Sequence, residues 1–395
     1  MRKHSGTLGT PAGIGGIKIK NRVVLSATHG SLAEEGRVTD SLIKSLVRRA
    51  EGGVGLIVTG AAAIAVEGRI STTQLGVWED SFVPGLQRLV EAVHAVEGAR
   101  IAVQVSHAGP HARVGDEQPL APSAVKTLAL GRAPRTLLES EIERVLGDYA
   151  AATQRVRAAG ADAVQFHICH GDLPTTFLSP RTNRRKDRWG GPLENRIRFA
   201  REIVRRAREA VGPDFPLMVK MNALDFRRGG WGIADAEQLA RALAEDGVDA
   251  IEVSAGTSET WMGMAHGDAP LDAIVETIGG GALRRAVLRL YFARAARKFA
   301  FHEAYLLPYA LRIKQAVPAV PVIAVGGMRS RETMESALAQ GVDFVALSRP
   351  LIREPGLVNR LLSGEQAKAT CHNCNRCVIF VGAQGRPLRC YYKSS

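Results

Sequence analysis

Three short stretches of the chain repeat one pattern: Ala159-Gly-Ala-Asp-Ala-Val164, Asp246-Gly-Val-Asp-Ala-Ile251 and Gln340-Gly-Val-Asp-Phe-Val345. In each stretch a glycine follows a helical segment and can end the helix in the left-handed conformation that other residues avoid. The aspartate then makes a turn, and the apolar run after it suits a buried strand. The repeat predicts helix-to-strand junctions of the kind that recur in parallel α/β folds.

Outward from these junctions, short β-branched runs alternate with long helical stretches along most of the 395 residues. This alternation is typical of a parallel sheet with crossover helices. The runs are apolar almost throughout, as strands buried on both faces are. Eight strands are predicted, at Arg22–Ser26, Gly55–Thr59, Arg100–Ser106, Asp162–His167, Pro216–Met221, Asp249–Ser254, Pro321–Val325 and Asp343–Ser348.

Eight strand–helix units in one chain favour a closed (β/α)8 barrel, the TIM-barrel fold of the α/β class, over an open doubly wound sheet. A Rossmann-like sheet would want Gly-x-Gly-x-x-Gly after its first strand, where this chain reads Ser26-Ala-Thr-His-Gly-Ser31. We expect the barrel over residues 1–365 and a Cys-rich C-terminal extension over residues 366–395.

A long insertion, residues 255–302, follows the sixth predicted strand. It contains Gly-Gly-Gly at 279–281 and then a basic stretch, Leu283–Phe299. Long loops on the carboxyl face of a barrel usually shape the substrate pocket. For the basic stretch, a solvated amphipathic helix is favoured over a helix that binds a partner or a membrane.

The formal net charge of +13 raises the question of a nucleic-acid partner. The arginines are spread along the chain and no nucleic-acid-binding motif accompanies them, so an anionic cofactor or substrate explains the charge better. The chain has no apolar run of about 18 residues or more that would predict a membrane span. Its N-terminus lacks the apolar segment of a secretory signal. We therefore expect a cytoplasmic protein that binds neither nucleic acid nor membranes.

Catalytic residues of a β/α barrel come from the carboxyl ends of its strands. Here those ends are unusually polar, and they provide, in chain order, Ala27, Thr28, His29, Gly60, Gln104, His107, His167, His170, Asp172, Lys220, Asn222, Ser254, Gly256, Gly326, Gly327, Ser348 and Arg349. In this fold the loops after strands seven and eight often bind phosphate through backbone N–H groups and a cation. Gly326, Gly327, Ser348 and Arg349 therefore predict a phosphate site.

His167-Ile-Cys-His170 allows three interpretations. Two histidines three residues apart can bind a metal, which would want a third ligand and a carboxylate partner. They can also be structural, or they can donate hydrogen bonds to an oxygen that gains negative charge during a reaction. Their position at the end of a strand favours a functional role.

The chain resembles the Old Yellow Enzyme family of FMN oxidoreductases from about residue 10 to residue 365. The matching stretches are Asn21-Arg-Val-Val, Val103-Gln-Val-Ser-His-Ala-Gly109, Phe166-His-Ile-Cys-His-Gly171, Phe177-Leu-Ser-Pro180, Asn183-Arg-Arg-Lys-Asp-Arg-Trp-Gly-Gly-Pro-Leu-Glu-Asn-Arg196, Ala324-Val-Gly-Gly327 and Ser348-Arg349. The resemblance implies bound FMN, NADH or NADPH as reductant, and hydride transfer to an electron-poor acceptor such as an α,β-unsaturated carbonyl compound.

The resemblance also implies roles for individual residues. The flavin would contact the backbone of Ala27 and Thr28, His29 near its reactive edge, Gly60 and Gln104 at its pyrimidine portion, Lys220 beside N1 and O2, and Gly327 with Arg349 at its phosphate. Many members carry Arg in place of Lys220, and either cation would stabilise the anionic reduced flavin. His167 and His170 would bind an oxygen of the substrate, so that hydride from flavin N5 can add to the activated carbon.

One position departs from the family motif. The chain reads His170-Gly-Asp-Leu173 where members typically read His-Gly-Tyr-Leu, and that Tyr is the usual proton donor to the substrate carbon. Asp172 could replace it only if burial raised its pKa enough to keep the carboxyl protonated. Otherwise Asp172 is a carboxylate at the pocket rim, and the proton comes from water or from a group such as Glu259 or His266. Reduction of quinones or nitro compounds, or oxidation of an amine, needs no such donor.

Four of the five cysteines, Cys371, Cys374, Cys377 and Cys390, lie in the C-terminal tail in a C-x2-C-x2-C-x12-C pattern. In a cytoplasmic protein this pattern indicates a metal or iron–sulfur site rather than disulfides. Members similar to dienoyl-CoA reductase carry a 4Fe–4S cluster on such a group, with an FAD- and NADPH-binding portion after it. The spacing here differs by one residue, and we expect that portion to be absent.

Three occupants of the tail cysteines stay open: a 4Fe–4S cluster, structural zinc, or no metal at all. Cys169 is expected to be a small buried residue rather than a ligand. The leading function is an FMN enzyme reduced by NADH or NADPH. A second is an iron–sulfur flavoprotein fed by a separate electron-donor protein, and a third is a binding module that has lost catalysis. A small-molecule substrate and a homo-oligomer are expected.

Overall fold

The computed structural model describes residues 7–115, 117–126 and 132–392. Within them, eight parallel strands form a closed barrel in which neighbours in sequence pair and the last strand pairs with the first. The strands are β1 Val23–Leu25, β2 Leu56–Val58, β3 Arg100–Ser106, β4 Ala163–Ile168, β5 Leu217–Asn222, β6 Ala250–Ser254, β7 Val322–Val325 and β8 Phe344–Leu347. The predicted (β/α)8 barrel is confirmed, with each strand within one or two residues of its expected bounds.

A helix follows each strand and covers the outside of the barrel. These helices are α1 Asp40–Glu51, α2 Val83–His94, α3 Glu139–Ala158, α4 Leu193–Val211, α5 Ile233–Glu245, α6 Leu307–Ala316, α7 Arg331–Gln340 and α8 Leu357–Ser363. Further short helices are Leu173–Leu178, Trp261–Met264, Leu271–Ile278, Arg349–Arg353 and Arg376–Gly382. A hairpin of Ala12–Ile14 and Ile17–Ile19 closes the amino end of the barrel, where Ile14 and Ile19 join its inner core.

The repeated Gly-x-Asp junctions have one structural cause. Gly160, Gly247 and Gly341 adopt φ of 78°, 88° and 119°, the left-handed region in which glycine is favoured. Each aspartate then accepts a 2.8 Å hydrogen bond from a backbone N–H near the start of the preceding strand: Asp162 from Ile101, Asp249 from Leu217 and Asp343 from Val322. The junction therefore ends a helix and aligns two neighbouring strands at once.

The interior of the barrel changes from apolar to polar along the strand axis. Near the amino ends the inward side chains of β3 to β6 are Ala102, Ala163, Met218 and Ala250. Two residues further along the same strands the inward side chains are Gln104, Gln165, Lys220 and Glu252, all buried. Because side chains alternate along a strand, these four share one layer just beneath the carboxyl ends.

The insertion after β6 contains the predicted basic helix, at Ala282–Lys298, but the expectation that it is amphipathic is wrong. None of its residues is fully buried. Leu288 and Phe292 are half-buried, whereas Leu283 is 81% and Leu290 64% exposed on the opposite side. Because apolar residues lie on both sides of the helix, it has no separate polar and apolar faces.

The C-terminal tail folds back over the carboxyl face of the barrel. Its helix Arg376–Gly382 places Ile379 against Ala273 and Ile274 of the insertion. The Leu388 N–H donates to the carbonyl of Gly30, in the loop after β1. The tail therefore lies next to the site described below. In the described ranges, no helix combines the length and apolar character that a membrane crossing requires.

Candidate active site

A cavity of about 1150 Å³ opens at the carboxyl ends of the strands, where a barrel enzyme has its active site. Its lining includes Ser26, Ala27, Thr28, His29, His170, Lys220, Ser254, Gly326, Gly327, Arg329, Ser348 and Arg349. Eight of the ten predicted cofactor-binding residues are therefore brought together on one wall. Among the residues the structure describes, Gly60 and Gln104 are not part of that lining, and their contact with the flavin stays a prediction.

Gly60 and Gln104 support the cavity from behind. A Cβ at position 60 would come within 2.6 Å of the Thr28 carbonyl oxygen, so glycine lets the loop after β2 approach the backbone of the loop after β1. Gln104 is 2% exposed and donates a 2.6 Å hydrogen bond to Gln165. Gly60 therefore acts on the cavity through Thr28, whereas Gln104 acts through a buried network of Gln165, Glu252 and Ser26.

One end of the cavity is suited to an anion. Gly326 and Gly327 have φ of 102° and 79°, and a Cβ on Gly327 would lie 2.8 Å from the backbone of His302 and of Ala304. Only glycine fits there without displacing backbone. The predicted Gly-Gly turn thus presents bare main chain to the cavity, as phosphate-binding loops do.

Two arginines accompany this turn. Arg349 is held in place by the carbonyl of His266 at 2.9 Å and the side-chain oxygen of Asn375 at 2.5 Å. Arg329, which sequence reasoning missed, donates to the carbonyl of Ala369, while its buried Nε has no hydrogen-bond partner among the described residues. An unpaired buried donor beside a bare main-chain turn fits an anionic group. The signal for Arg329 was its position two residues after Gly-Gly.

At the other end of the cavity, Lys220 is part of a buried polar network. Its ammonium lies 3.0 Å from Glu252 and donates to Ser26 Oγ at 2.8 Å. Ser26 donates to Glu252 at 2.5 Å, and Gln165 donates to the other carboxylate oxygen at 3.0 Å. Glu252 is fully buried. The cation expected beside the flavin is therefore neutralised by a carboxylate that sequence reasoning missed, although a Glu inside an apolar strand was its signal.

Six polar side chains form one continuous hydrogen-bonded chain at the end of β4: Ser258, His111, Asp172, His167, His170 and Ser254. Ser258 Oγ lies 2.7 Å from His111 Nε2, and His111 Nδ1 lies 3.2 Å from Asp172 Oδ1. The other carboxylate oxygen, Asp172 Oδ2, lies 2.8 Å from His167 Nδ1. His167 Nε2 lies 3.2 Å from His170 Nδ1, and His170 Nε2 lies 2.8 Å from Ser254 Oγ. We call this the histidine chain. His111, in a short turn after β3, was missed, because nothing in sequence spacing relates it to Asp172.

The charges in the histidine chain follow from these contacts. Burial alone would raise the pKa of Asp172, but protonated His167 and the hydrogen bonds from His111 and His167 hold it well below its usual value. Burial alone would lower the pKa of His167, but Cys169 and Asp172 raise it to about 10. Burial and the positive His167 keep the pKa of His170 well below 6.5. The chain therefore holds an anionic Asp172, a protonated His167 and a neutral His170.

The hypothesis that burial keeps Asp172 protonated is wrong, because its two imidazole partners favour the ionised form. Asp172 does not lie at the pocket rim either, since its side chain is 14% exposed and enclosed between His111 and His167. The alternative donors Glu259 and His266 are absent from the described lining of the large cavity. Burial lowers the pKa of His266 to about 4, so it is neutral near pH 7.

His170 is held in a conformation that few residues adopt. Its φ is 64°, in the left-handed region, which costs free energy for a residue with a side chain. The side-chain oxygen of Asn222 accepts a hydrogen bond from the His170 N–H at 3.3 Å. The carbonyl of His170 accepts a hydrogen bond from Ser258 N–H. This backbone conformation directs the imidazole of His170 into the cavity.

Metal binding by the same histidines is geometrically conceivable. Ligand atoms of His167, Cys169 and His170 lie within 4.8 Å of one another, and within the described ranges this is the group of His, Cys, Asp or Glu residues that meets that limit. A histidine protonated on both nitrogens cannot be a ligand, however, and Asp172 favours that form of His167. Cys169 is fully buried, as expected. The hydrogen-bonding interpretation of the pair therefore suits the site better.

The four tail cysteines, Cys371, Cys374, Cys377 and Cys390, line one small cavity of about 330 Å³. Arg349 and Cys377 line this cavity and the large one as well. Burial raises the pKa of Cys371, and raises that of Cys377 to about 11, so these thiols need a bound cation to ionise. In the described part of the tail, no three of these sulfurs lie within 4.8 Å of one another.

The chain is similar in sequence to a known protein family and to several known proteins. The family model described as "NADH:flavin oxidoreductase / NADH oxidase family" matches residues 7–269. An NADH oxidase of Thermoanaerobacter brockii is 35% identical over 395 residues, which cover 98% of this chain and 56% of that protein. A 4,4'-dithiodibutanoate disulfide reductase of Rhodococcus erythropolis is 32% identical over 385 residues, covering 95% of this chain and 93% of that protein.

Among solved structures, 2-naphthoyl-CoA reductase in complex with 2-naphthoyl-CoA superimposes with a TM-score of 0.83 at 26% identity. That match covers 97% of this chain and 56% of the reductase. The chain thus spans about half the length of several relatives and nearly the whole length of others.

Proposed function

The chain belongs to the NADH:flavin oxidoreductase / NADH oxidase family, and from that premise we propose that it is an FMN-dependent oxidoreductase. It takes electrons from NADH or NADPH and reduces a small electron-poor acceptor, first of all the C=C bond of an α,β-unsaturated carbonyl compound. One observation carries the proposal. A single cavity of about 1150 Å³ is lined by the Gly326-Gly327 turn with its arginines and also by the buried Lys220 and the imidazole of His170.

FMN fits the residues that line this cavity. Its phosphate would be held by the bare backbone of Gly326 and Gly327 and by Arg329 and Arg349, where a buried arginine donor lacks a protein partner. Its ring system would lie along the backbone of the loop after β1, with Lys220 at its pyrimidine side. When bound, FMN supplies hydride chemistry, accepting hydride from the nicotinamide and giving it to the acceptor.

The residues of the chain supply orientation and charge around that chemistry. Lys220 places a positive charge beside the ring system, and Glu252 holds its ammonium in position. His170 reaches the cavity with Nε2, which can donate a hydrogen bond to an oxygen of the acceptor. Such a donor activates a carbonyl for addition at the conjugated carbon, which supports the unsaturated carbonyl as acceptor.

A visible spectrum tests the cofactor and the reductant together. The purified protein should take up FMN, show flavin bands, and lose them when NADH or NADPH is added without oxygen. The bands should return when cyclohexenone or another unsaturated carbonyl compound is supplied. A colourless protein that takes up no FMN would overturn the proposal, and flavin reduced by neither nucleotide would remove NAD(P)H as the reductant.

We further propose that Cys371, Cys374, Cys377 and Cys390 hold a 4Fe–4S cluster rather than zinc. Four sulfurs around zinc lie about 3.8 Å apart at a Zn–S length of roughly 2.3 Å. In the described tail no three of these sulfurs lie within 4.8 Å of one another, which supports a larger occupant than zinc. About four iron and four sulfide per chain are expected on analysis, and zinc in place of iron would contradict the assignment.

A second function is favoured by the tail. Because Cys377 and Arg349 line both cavities, a cluster there would lie beside the flavin and could pass electrons to it from a separate donor protein. The substrate would then be a quinone or a nitro compound that is reduced, or an amine that is oxidised while the cluster carries its electrons to an acceptor protein. Replacement of Cys374 by Ser separates the two functions: NAD(P)H-driven turnover survives in the first and electron transfer from a reduced donor protein is lost in the second.

A further inference from the structure

The histidine chain connects two cavities near the carboxyl end of β4. His170 and Ser254 line the large cavity, whereas His111 and Ser258 line a second one of about 620 Å³. Asp172 lines neither cavity. It is an interior member of the chain and is connected to the large cavity through His167 and His170.

Both carboxylate oxygens of Asp172 are already engaged. Oδ2 faces His167 Nδ1 at 2.8 Å and Oδ1 faces His111 Nδ1 at 3.2 Å. An ionised carboxylate only accepts hydrogen bonds, so both imidazoles donate to it. Asp172 therefore has no proton to give, and it is not among the residues that line the large cavity.

The donor pattern of the two histidines follows from Asp172. His167 donates Nδ1–H to Asp172, and its Nε2 lies 3.2 Å from His170 Nδ1. With Nε2–H donated to His170 Nδ1, the remaining hydrogen of His170 is on Nε2, 2.8 Å from Ser254 Oγ and at the wall of the large cavity. The pair thus presents one N–H to the cavity and stores a second proton behind it.

We propose that His167 and His170 together deliver a proton to the oxygen of the bound acceptor, with Asp172 and His111 as positioning residues. This inference rests on the proposed function. The proton on His170 Nε2 moves to the acceptor oxygen, and the proton on His167 Nε2 moves to His170 Nδ1. His167 ends neutral, Asp172 stays an anion throughout, and a water proton later returns by the reverse route.

Groups on every neighbouring element set the charge of this pair. Burial, the protonated His167 and Lys220 on β5 lower the pKa of His170. Burial lowers the pKa of His167 as well, but Cys169 and Asp172 raise it. His107, after β3, is buried with its pKa lowered to about 4, so it is neutral. Tyr149 of α3 is buried and its pKa is raised, so it is neutral too. The stored proton is therefore held on His167.

The proposal has a stereochemical consequence for unsaturated carbonyl acceptors. Hydride adds at the β-carbon and the proton goes to oxygen, so the product leaves as an enol. The enol then takes its α-carbon proton from water and loses the proton on oxygen. The protein therefore controls the configuration of the β-carbon but not that of the α-carbon.

The stored proton can be observed without any turnover. In ¹⁵N spectra of the folded protein without substrate, both nitrogens of one histidine, assigned by a His167→Gln variant, should stay protonated beyond pH 9. In Asp172→Asn the pKa of that histidine should fall by about two units or more, and in His111→Gln by less. His94→Gln is the matched control, because it removes another His–carboxylate contact, 2.7 Å from Asp162, far from the cavity.

Product analysis tests the delivery of the proton. An α-methyl cyclic enone should give nearly equal amounts of the two enantiomers, whereas a β-methyl enone should give one in large excess. A pure enantiomer of the α-methyl product, incubated with the enzyme, should keep its configuration. Asp172→Tyr should shift the α-methyl product towards one enantiomer.

Three results would overturn the proposal. They are a single α-enantiomer from the unaltered protein, a His167 that titrates near 6.5, and a stoichiometric metal ion bound by His167, Cys169 and His170. Failure of every enone to react would count against the acceptor class proposed above. The pKa of His167 is measured without any enone, so it tests the proposed proton arrangement even when no enone reacts. Failure of the proton arrangement and failure of the acceptor class can therefore be told apart.

Discussion

Asp172 takes its role from neighbours that lie far away in the chain. Its local sequence allows a buried neutral acid or an exposed carboxylate, and the structure shows neither. His111, 61 positions earlier, and His167 enclose it and keep it ionised. The charges of single residues in the candidate site depend on such contacts between residues that are far apart in the chain. The Lys220–Glu252 contact is another, because a carboxylate on β6 neutralises the cation on β5.

Glu252→Gln should raise the two-electron midpoint potential of the bound flavin. Without the carboxylate, Lys220 is an unpaired positive charge beside the flavin, so it stabilises the negative charge of the reduced form more strongly. A tenfold gain in that preference corresponds to about 30 mV. The measurement is a redox titration, with Glu237→Gln, which breaks a surface contact to Arg312, as control. A potential that falls or stays constant would contradict the assignment.

Gly327→Ala should weaken FMN binding at least about tenfold, which corresponds to 1.4 kcal/mol. The new Cβ would lie 2.8 Å from the His302 carbonyl oxygen, at a residue with φ of 79°. Fluorescence titration of the apoprotein with FMN measures the change. Gly232→Ala is the control, since nothing lies within 4 Å of a Cβ there. Equal affinities for the two variants would show that the turn does not hold the phosphate.

Among the secondary-structure elements, the Gly-x-Asp junctions explain why the strands could be predicted from the sequence. The glycine ends the helix locally, while the aspartate bonds to the backbone of the neighbouring strand. Each junction also has a basic partner, such as Arg208 at 2.7 Å from Asp249. The local pattern and the tertiary contact therefore agree, and such agreement makes a fold predictable from sequence.

Asp249→Ala should lower the free energy of unfolding by about 1–3 kcal/mol. The substitution leaves the buried Leu217 N–H without its acceptor and removes the partner of Arg208. Urea unfolding followed by circular dichroism measures the loss. Asp272→Ala removes an aspartate whose side chain is 89% exposed and paired only with exposed Arg289, so it should change stability by less than about 0.5 kcal/mol. Similar losses in both variants would refute the junction role.

For the helix Ala282–Lys298, the prediction of an amphipathic helix was wrong. Its sequence contains enough apolar and basic residues for an amphipathic helix, yet apolar side chains lie on two sides of it. One side packs towards the insertion and the other, with Leu283 and Leu290, is exposed. Residue spacing predicted the helix correctly, but which side is covered depends on the packing of the insertion as a whole.

At the scale of the whole molecule, several buried groups make stability depend on pH in both directions. Burial lowers the pKa of His29 and of His107 to about 4, below the 6.5 of an unfolded histidine. The folded state therefore binds fewer protons than the unfolded state between those values. For His167, whose pKa is raised to about 10, the stabilising contribution is complete below pH 6.5 and is lost as pH rises towards 10.

Thermal unfolding of the apoprotein should therefore show a maximum melting temperature between about pH 6.5 and 8. On the acid side, each of His29 and His107 should cost at most about 1.4 kcal/mol per pH unit down to pH 4. His107→Gln should flatten the acid limb, and Asp172→Asn should flatten the alkaline limb. A melting temperature that is constant from pH 6.5 to 4.5 would show that neither histidine is buried as a neutral group.

Local sequence patterns were enough to predict the barrel, its eight strands and the polar residues at their carboxyl ends. They could do so because glycine conformation, apolar runs and strand alternation are local properties that the chain carries everywhere. Most of the residues predicted to bind the cofactor line one cavity, because parallel strands bring their carboxyl ends to the same face.

The charges of the candidate site, in contrast, follow from contacts between residues that are distant in the chain. Ionisation depends on burial and on partners within a few ångströms, and those partners come from separate strands and loops. Glu252 beside Lys220 and His111 beside Asp172 are examples. Sequence order does not encode these distances, so it could make Asp172 a candidate site residue but could not show that it is an anion held between two histidines.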